Sequence, residues 1–376
     1  MTVLIIIVVA LIALVVLLYM YRRKSKTSGI PAYVEAMVAL LENNDALAMK
    51  KFKEAVRIES GLVDAYIRLG DLYRRSGDIE RAIQIHQSLT VRPTLNKQEE
   101  KRVYYALVND FLETSRHNKA ISFLKEILKI DKKDTHAREL ILKLYEDMGN
   151  YGDCIALYEG GGFSRNDNNR LAFYYASFAH QKLHAKGEID PEQEKEGVNL
   201  LKKALKVAPD SLPALFHFAQ YHEKKEDLKK AKDLYTKIIT QKPDCAFLVI
   251  PHLEKVFFEL DLFDEIIPIY EDIFTKNNKN CAIGIALATL YEKKNDIAAS
   301  TEVYANLTES CPDSIIPKLR LMKIMTDDES IKEKLDDIEG TVSRTYYDCG
   351  KCGYGSETFV MLCPQCRSIG SYSLLC

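Results

Sequence analysis

Tryptophan is absent from this 376-residue chain, and Gly (17) and Pro (11) are sparse while Tyr (21) is frequent. So few breakers suit a helical protein and argue against a disordered domain. A basic field is missing as well: 52 Lys and Arg meet 54 Asp and Glu, a formal net charge of −2. That balance excludes nucleic acid as a partner held by bulk electrostatics. No phosphate-cradling Gly loop is present, because Gly160-Gly161-Gly162 lacks a following Lys-Ser/Thr. No catalytic constellation stands out either. His180-Gln-Lys-Leu-His184 has the spacing of a zinc-protease helix, but Gln181 stands where the general base belongs. That pair, like His217 and His222, reads as ordinary packed or solvated helix residues. The chain does not read as an enzyme.

A cleavable signal is also lacking. No positive charge precedes the apolar run at residues 3–18, and no A-x-A-like site follows it. Residues 1–21 instead supply the ~20 residues of a transmembrane helix. Tyr19 and Tyr21 take the interfacial position, and Arg22, Arg23, Lys24 and Lys26 open a basic juxtamembrane linker, residues 22–30. The positive-inside rule leaves residues 22–376 in the cytoplasm, with the basic stretch able to touch anionic headgroups. Cysteine usage agrees. Of nine cysteines, Cys154, Cys245, Cys281, Cys311 and Cys376 are scattered and odd in number, the pattern of a reducing compartment.

What is present is a repeat. Tyr66-x-x-Leu69-Gly70-x-x-Tyr73, then Ala82, His86, Leu89 and Pro93, resembles the tetratricopeptide pattern. Its small second-helix residue recurs at Ala48, Ala82, Ala120, Cys154, Gly197, Ala231, Ile266 and Ser300, with Ile266 the bulky exception. The steps are 34, 38, 34, 43, 34, 35 and 34 residues. In the same phase fall Phe52, His86, Leu124, Tyr158, Leu201, Tyr235, Tyr270 and Tyr304. Each unit is a helix hairpin that buries its apolar face by stacking on its neighbours. The expectation is an all-α tetratricopeptide-repeat superhelix over residues 31–338, with about eight repeats and a capping helix pair from residue 315. The 38-residue step predicts a loop at residues 94–97. The 43-residue step predicts a long helix over residues 168–186, then a helix entered through Asp190-Pro191. Gly160–Gly162 reads as a helix cap and loop, with a hinge between two sub-arrays as the alternative. Phase alignment places Ile67, Asp71, Tyr105, Asn109, Phe216 and Gln220 on first helices, facing a partner groove.

The last segment, residues 345–376, holds Cys349-Gly-Lys-Cys352 and, ten residues on, Cys363-Pro-Gln-Cys366. Two C-x-x-C turns point to one tetrahedral metal ion on four thiolates. Such an ion stabilises a segment too small for a sufficient core, contributing about 10–16 kcal/mol of apparent binding free energy. Zinc and iron both suit an all-sulfur site. Tyr346, Tyr347, Tyr354 and Phe359 supply a small apolar face, so a structural, docking module is the better reading beside an electron-transfer one.

Membrane helix, repeat array and terminal four-cysteine module, in that order, resemble the lipopolysaccharide assembly protein B family. The most specific part is Tyr347-x-Cys349-x-x-Cys352-Gly353-Tyr354 with Cys363-Pro364-x-Cys366-Arg367. The resemblance implies a rubredoxin-like or zinc-ribbon module packed on the repeats, with iron favoured over zinc at Cys349, Cys352, Cys363 and Cys366. It implies a single-pass protein of the bacterial inner membrane that acts as an adaptor. Its implied partners are a membrane AAA+ protease, the lipid A-pathway deacetylase whose turnover it promotes, and other envelope-assembly proteins. An electron-transfer protein and a general envelope scaffold are the alternatives.

Overall fold

The polar residues that punctuate the sequence reappear as helix caps. The computed structural model describes residues 14–15, 28–161, 163, 167–184, 190–342 and 346–375. The expected membrane span lies outside the described residues except for Leu14 and Val15, as do residues 22–27 of the basic linker. Among the described residues, no helix is long and apolar enough to cross a membrane. The chain divides into two compact units, Met1–Met148 with Gly162–Ser164, and Gly149–Gly161 with Arg165–Cys376.

The first unit carries α1 (Ile30–Leu41), α2 (Asp45–Ile58), α3 (Val63–Arg75), α4 (Ile79–Thr90), α5 (Lys97–Glu113), α6 (His117–Ile130) and α7 (Thr135–Asp147). Asn44, Asp78 and Asp134 each accept a backbone N–H three residues on. Asn96 and Glu99 form a reciprocal capping box at the start of α5, after the predicted inter-repeat loop. Ala48, Ala82 and Ala120 are fully buried where their helices cross. One polar cluster sits within this packing. His86 is buried, its Nδ1 2.6 Å from Asp110 Oδ2 and its Nε2 3.0 Å from the Ile67 carbonyl. Arg74 donates to the other Asp110 oxygen at 2.8 Å. The imidazole lies flat against Gly70, where a side chain would overlap it. α1 leaves Ile30, Val34, Val38 and Leu41 exposed along one face.

The second unit carries α8 (Tyr151–Glu159), α9 (Asn168–Leu183), α10 (Pro191–Val207), α11 (Leu212–Lys224), α12 (Leu228–Gln241), α13 (Ala246–Glu259), α14 (Ile266–Lys276), α15 (Cys281–Lys293) and α16 (Ile297–Ser310). A further pair, α17 (Ile316–Met325) and α18 (Glu329–Val342), follows. Cys154, Ala231, Ile266 and Ser300 are buried in the expected phase, as are Tyr235, Tyr270 and Tyr304. Bulky Ile266 is accommodated where a 3₁₀ turn, Phe263–Glu265, precedes its α-helix. The capping pair runs to residue 342, four residues beyond expectation, held by Arg320 on Glu339 at 2.6 Å and Lys323 on Asp336 at 2.6 Å. α9 stops at Leu183 rather than residue 186 within the described residues. Asp190 does cap α10, but its side chain accepts no backbone hydrogen bond.

Gly160 closes α8 as its cap, donating to the Ala156 carbonyl at 3.1 Å, and Gly161 follows in the left-handed region. The helix-cap reading therefore holds for these two glycines; Gly162 lies outside the described residues. The division into units falls after Met148 and again between Gly161 and Gly162.

One device recurs between first and second helices. Asn43, Gly77, Ser115, Gly149, Glu226, Asp261 and Asn295 all have positive φ. After each of these except Gly149, the following amide reaches back to the first helix, as in Asn44 N–H to the Ala39 carbonyl at 2.8 Å and Asp296 N–H to the Tyr291 carbonyl at 2.9 Å. This is a Schellman-type stop that satisfies orphan carbonyls.

The second unit ends in a three-stranded antiparallel sheet of β1 (Tyr346–Cys349), β2 (Gly355–Ser356) and β3 (Tyr372–Leu375), ordered β2–β1–β3. Tyr347 lies opposite both Ser356 and Leu374, and Cys349 opposite Tyr372. The sheet brings both ends of the terminal segment to one place.

Candidate metal centre

Two similar turns present the four cysteines. In the first, the Cys349 carbonyl accepts the amides of Cys352 at 3.2 Å and Gly353 at 2.8 Å. Gly353 takes a φ of 72°, which a side chain would resist. In the second, the Cys363 carbonyl accepts the Arg367 amide at 3.0 Å, and Arg367 takes the equivalent left-handed place with φ 59°. The Cys363 amide donates to the Ser368 carbonyl at 2.9 Å, closing that turn.

The four Sγ atoms all lie within 4.8 Å of one another. Cys349 Sγ is 3.6 Å from Cys366 Sγ, and Cys352 Sγ is 3.6 Å from Cys363 Sγ. Disulfides require about 2.05 Å, so these are separate thiols. A tetrahedron with metal–sulfur bonds of about 2.3 Å has edges of about 3.8 Å. The donor set therefore fits one tetrahedral ion. Cys349 and Cys363 are buried, Cys352 is half-buried and Cys366 is exposed. Among the described residues this is the one His, Cys, Asp or Glu group with such convergence.

Hydroxyls line the sulfurs. Ser371 Oγ is 3.1 Å from Cys349 Sγ, Ser368 Oγ is 3.0 Å from Cys366 Sγ, and the two serines are 2.6 Å apart. Burial pushes the Cys349 thiol up, but Ser368, Ser371 and the amides of Lys351 and Cys352 outweigh it and bring it down to about 5. Ser368 lowers Cys366 likewise. At Cys352 the Tyr354 amide favours the thiolate, yet burial and the sulfurs of Cys366, Cys363 and Cys349 push it up to about 12. Neighbouring sulfurs share protons, and a cation among them would displace those that remain. Tyr372 adds a long contact, its hydroxyl 3.8 Å from Cys363 Sγ. The sequence reading missed these outer groups, although Ser368-x-x-Ser371-Tyr372 directly follows the second pair.

The module docks on repeats of its own unit. Phe247, at the start of α13, meets Tyr347 at 5.3 Å and Phe359 at 5.5 Å between ring centroids. Met361 packs against the core of these repeats. Gly370 closes on Leu212 so tightly that a Cβ would stand 3.2 Å from its Cδ2. Tyr347 and Phe359 thus form the expected apolar face. Tyr354 is exposed instead, and the Tyr346 side chain lies outside the described set.

The six groove positions are placed unevenly. Ile67 (5% exposed) and Phe216 (6%) are core residues, which corrects their assignment to an open face. Phe216 packs edge-on to Tyr235 and His252. Asp71 pairs with Arg74 at 2.6 Å. Tyr105 donates to Asp134 at 2.8 Å and leans on His136. Gln220 meets His217 Nδ1 at 3.3 Å. Asn109 is exposed. His180 and His184 stack at 4.1 Å, and His217 joins His180 at 4.3 Å; His180 and His217 are partly buried and His184 is exposed, the packed or solvated helix residues expected.

Comparison with known proteins agrees with this layout. The tetratricopeptide repeat model matches residues 63–85 and 212–245. Lipopolysaccharide assembly protein B of Haemophilus influenzae is 25% identical over 358 residues, covering 89% of this chain and 87% of the relative. The protein of that name from Escherichia coli K12 is 22% identical over 345 residues, with the same coverage of each. Among solved structures, YrrB, a tetratricopeptide-repeat protein with an unusual peptide-binding site, aligns at 17% identity and a TM-score of 0.34. That alignment covers 55% of this chain and 96% of YrrB. Along most of both chains, and on a scaffold of tetratricopeptide hairpins, this chain is similar to the lipopolysaccharide assembly protein B family.

Proposed function

We propose that the chain is a membrane-tethered, non-enzymatic adaptor of lipopolysaccharide synthesis. It promotes turnover of the lipid A-committing deacetylase by a membrane AAA+ protease, with its repeats and metal module on the cytoplasmic side of the inner membrane. The observation that carries this reading is a four-cysteine module docked through Phe247 and Leu212 onto repeats that resemble an adaptor family along the chain. The tether rests on residues 1–21 and the basic run after them. The exposed apolar face of α1, beginning four residues after Lys26, suits a helix held at the bilayer surface.

Cys349, Cys352, Cys363 and Cys366 would hold one iron or zinc ion, with iron favoured by the family likeness. The ion would crosslink the two turns and so stabilise the docking face. Exposure of Cys366 favours one second reading, electron transfer through an iron-loaded site. Deacetylase half-life, followed after blocking translation in a deletion strain, tests the first reading. Restoration by the full chain but not by residues 22–376 is expected; an unchanged half-life in the deletion strain would overturn it. Full restoration by zinc-loaded protein would eliminate the electron-transfer reading.

A further inference from the structure

Two serines adjoin the cysteines, and the backbone fixes both. The Ser368 carbonyl accepts the Cys363 amide at 2.9 Å, which ties Ser368 to the second metal turn. The Ser371 carbonyl accepts the Gly350 amide at 2.8 Å, which ties Ser371 to the first. Between them in sequence, the Gly370 amide donates to the Met361 carbonyl at 2.8 Å. The two hydroxyls therefore meet where the turns come together, and Ser368 is only 8% exposed, so water does little to satisfy it.

Their partners are few. Ser368 Oγ lies 2.6 Å from Ser371 Oγ, 3.0 Å from Cys366 Sγ and 3.4 Å from Cys349 Sγ. Ser371 Oγ lies 3.1 Å from Cys349 Sγ. Among the described residues, each other and these two sulfurs are the hydrogen-bond partners of the hydroxyls. A serine hydroxyl carries one proton, and a metal-bound thiolate only accepts. Two oxygens 2.6 Å apart repel one another unless a proton lies between them. One of the two protons is thus committed to the oxygen pair, and only the other reaches a sulfur. Either Ser368 donates to Ser371, which donates to Cys349, or Ser371 donates to Ser368, which donates to Cys366.

We infer that Ser368 and Ser371 act as one donor, a positioning pair that directs a single shared proton at the sulfurs and so favours the more negative state of a bound ion. That role rests on the four-ligand reading of the site. Four thiolates around a ferrous ion leave a charge of −2, and around a ferric ion −1. A proton beside the sulfurs stabilises the first more than the second, so the pair raises the reduction potential of bound iron. The same proton helps to retain zinc, whose site also carries −2. Within the pair the first hydroxyl polarises the second, which strengthens the one O–H···S bond that is made. Serines that only fill space would leave the potential unmoved.

The test uses the full chain in detergent micelles. Metal analysis of the iron-loaded wild type comes first: an empty site there overturns the four-ligand reading, and the role of the pair with it. Redox titration, followed by the visible absorption of the ferric form, then reads Ser368→Ala, Ser371→Ala and the double variant. Each single variant keeps one hydroxyl, whose proton leaves the oxygen pair and turns to a sulfur, Cys349 for Ser371 and Cys366 for Ser368. Its ferric-to-ferrous ratio at a set potential should stay within threefold of wild type. The double variant has no such proton, and its ratio should rise at least tenfold, a potential lower by about 59 mV for one electron. Ser368→Thr in the Ser371→Ala background keeps a hydroxyl and should match Ser371→Ala alone. Zinc-loaded protein reads any variant that does not retain iron: transfer of zinc to a chelator should quicken at least tenfold in the double variant and less than threefold in either single one. A double variant within threefold of wild type in both readouts would overturn the pair while leaving the four ligands standing. So would single shifts that add up to the double one, since independent donors behave that way.

Discussion

Replacing Phe247 by Ala should undock the metal module without unfolding the repeats. Phe247 is half-buried, and its ring lies 5.3 Å from Tyr347 and 5.5 Å from Phe359. Each aromatic pair is worth about 0.5–1.5 kcal/mol beyond area, so the two contribute about 1–3 kcal/mol. Loss of the partly buried ring surface adds about 1 kcal/mol. Docking should therefore weaken by about 2–4 kcal/mol, a shift of roughly 30- to 1,000-fold in the docked-to-undocked ratio. Hydrogen exchange resolved by mass spectrometry reads this directly. Peptides from residues 346–375 and from the start of α13 should lose protection by that factor in the metal-loaded protein. Peptides from α5 and α6 should not change. Module protection within about threefold of wild type would refute the claim that this aromatic contact holds the dock.

Three other outcomes are expected. Gly70→Ala drives a methyl into an imidazole fixed by Asp110 and the Ile67 carbonyl, so thermal unfolding should show a loss of about 2 kcal/mol. Burial and the adjoining His180 hold the His217 imidazole down at about 3, against an ordinary value near 6.5, so the fold favours its neutral form. Its contribution is complete above pH 6.5 and is lost as pH falls toward 3, at up to ~1.4 kcal/mol per pH unit. His217→Gln should flatten denaturant stability across that window; an unchanged slope would exclude His217 as its source. Cys352→Ser should reduce bound metal well below one ion per chain and expose residues 346–375 to protease, with helical circular dichroism retained. Full metal retention would contradict the four-ligand assignment.

Repeat phase was legible because a hairpin array allows so few residues at its crossings. Ala48, Ala82, Ala120, Cys154, Ala231 and Ser300 were found by spacing and are all buried. The metal pairs were legible for a related reason, since ligand spacing is imposed by the ion. The groove was not. Ile67 and Phe216 lie on first helices as phased, but phase alone does not say which side of a first helix a neighbour covers. The left-handed turn residues were missed because only Gly77 and Gly149 carry the usual signal. Asn43, Ser115, Glu226, Asp261 and Asn295 occupy the same place without it. Ser368 and Ser371 escaped notice because hydroxyls near sulfur leave no spacing rule.

The module and the repeats it rests on belong to one compact unit. Binding of an ion by the native form alone adds stability that grows with free metal, about 4.1 kcal/mol at a thousandfold excess over Kd. That increment falls on the unit holding α8 to α18 and the sheet. Starvation for the ion should therefore shorten the lifetime of these helices before proteases while α1 to α7 keep their own resistance. Abundance of the intact chain would then report the cell's metal supply.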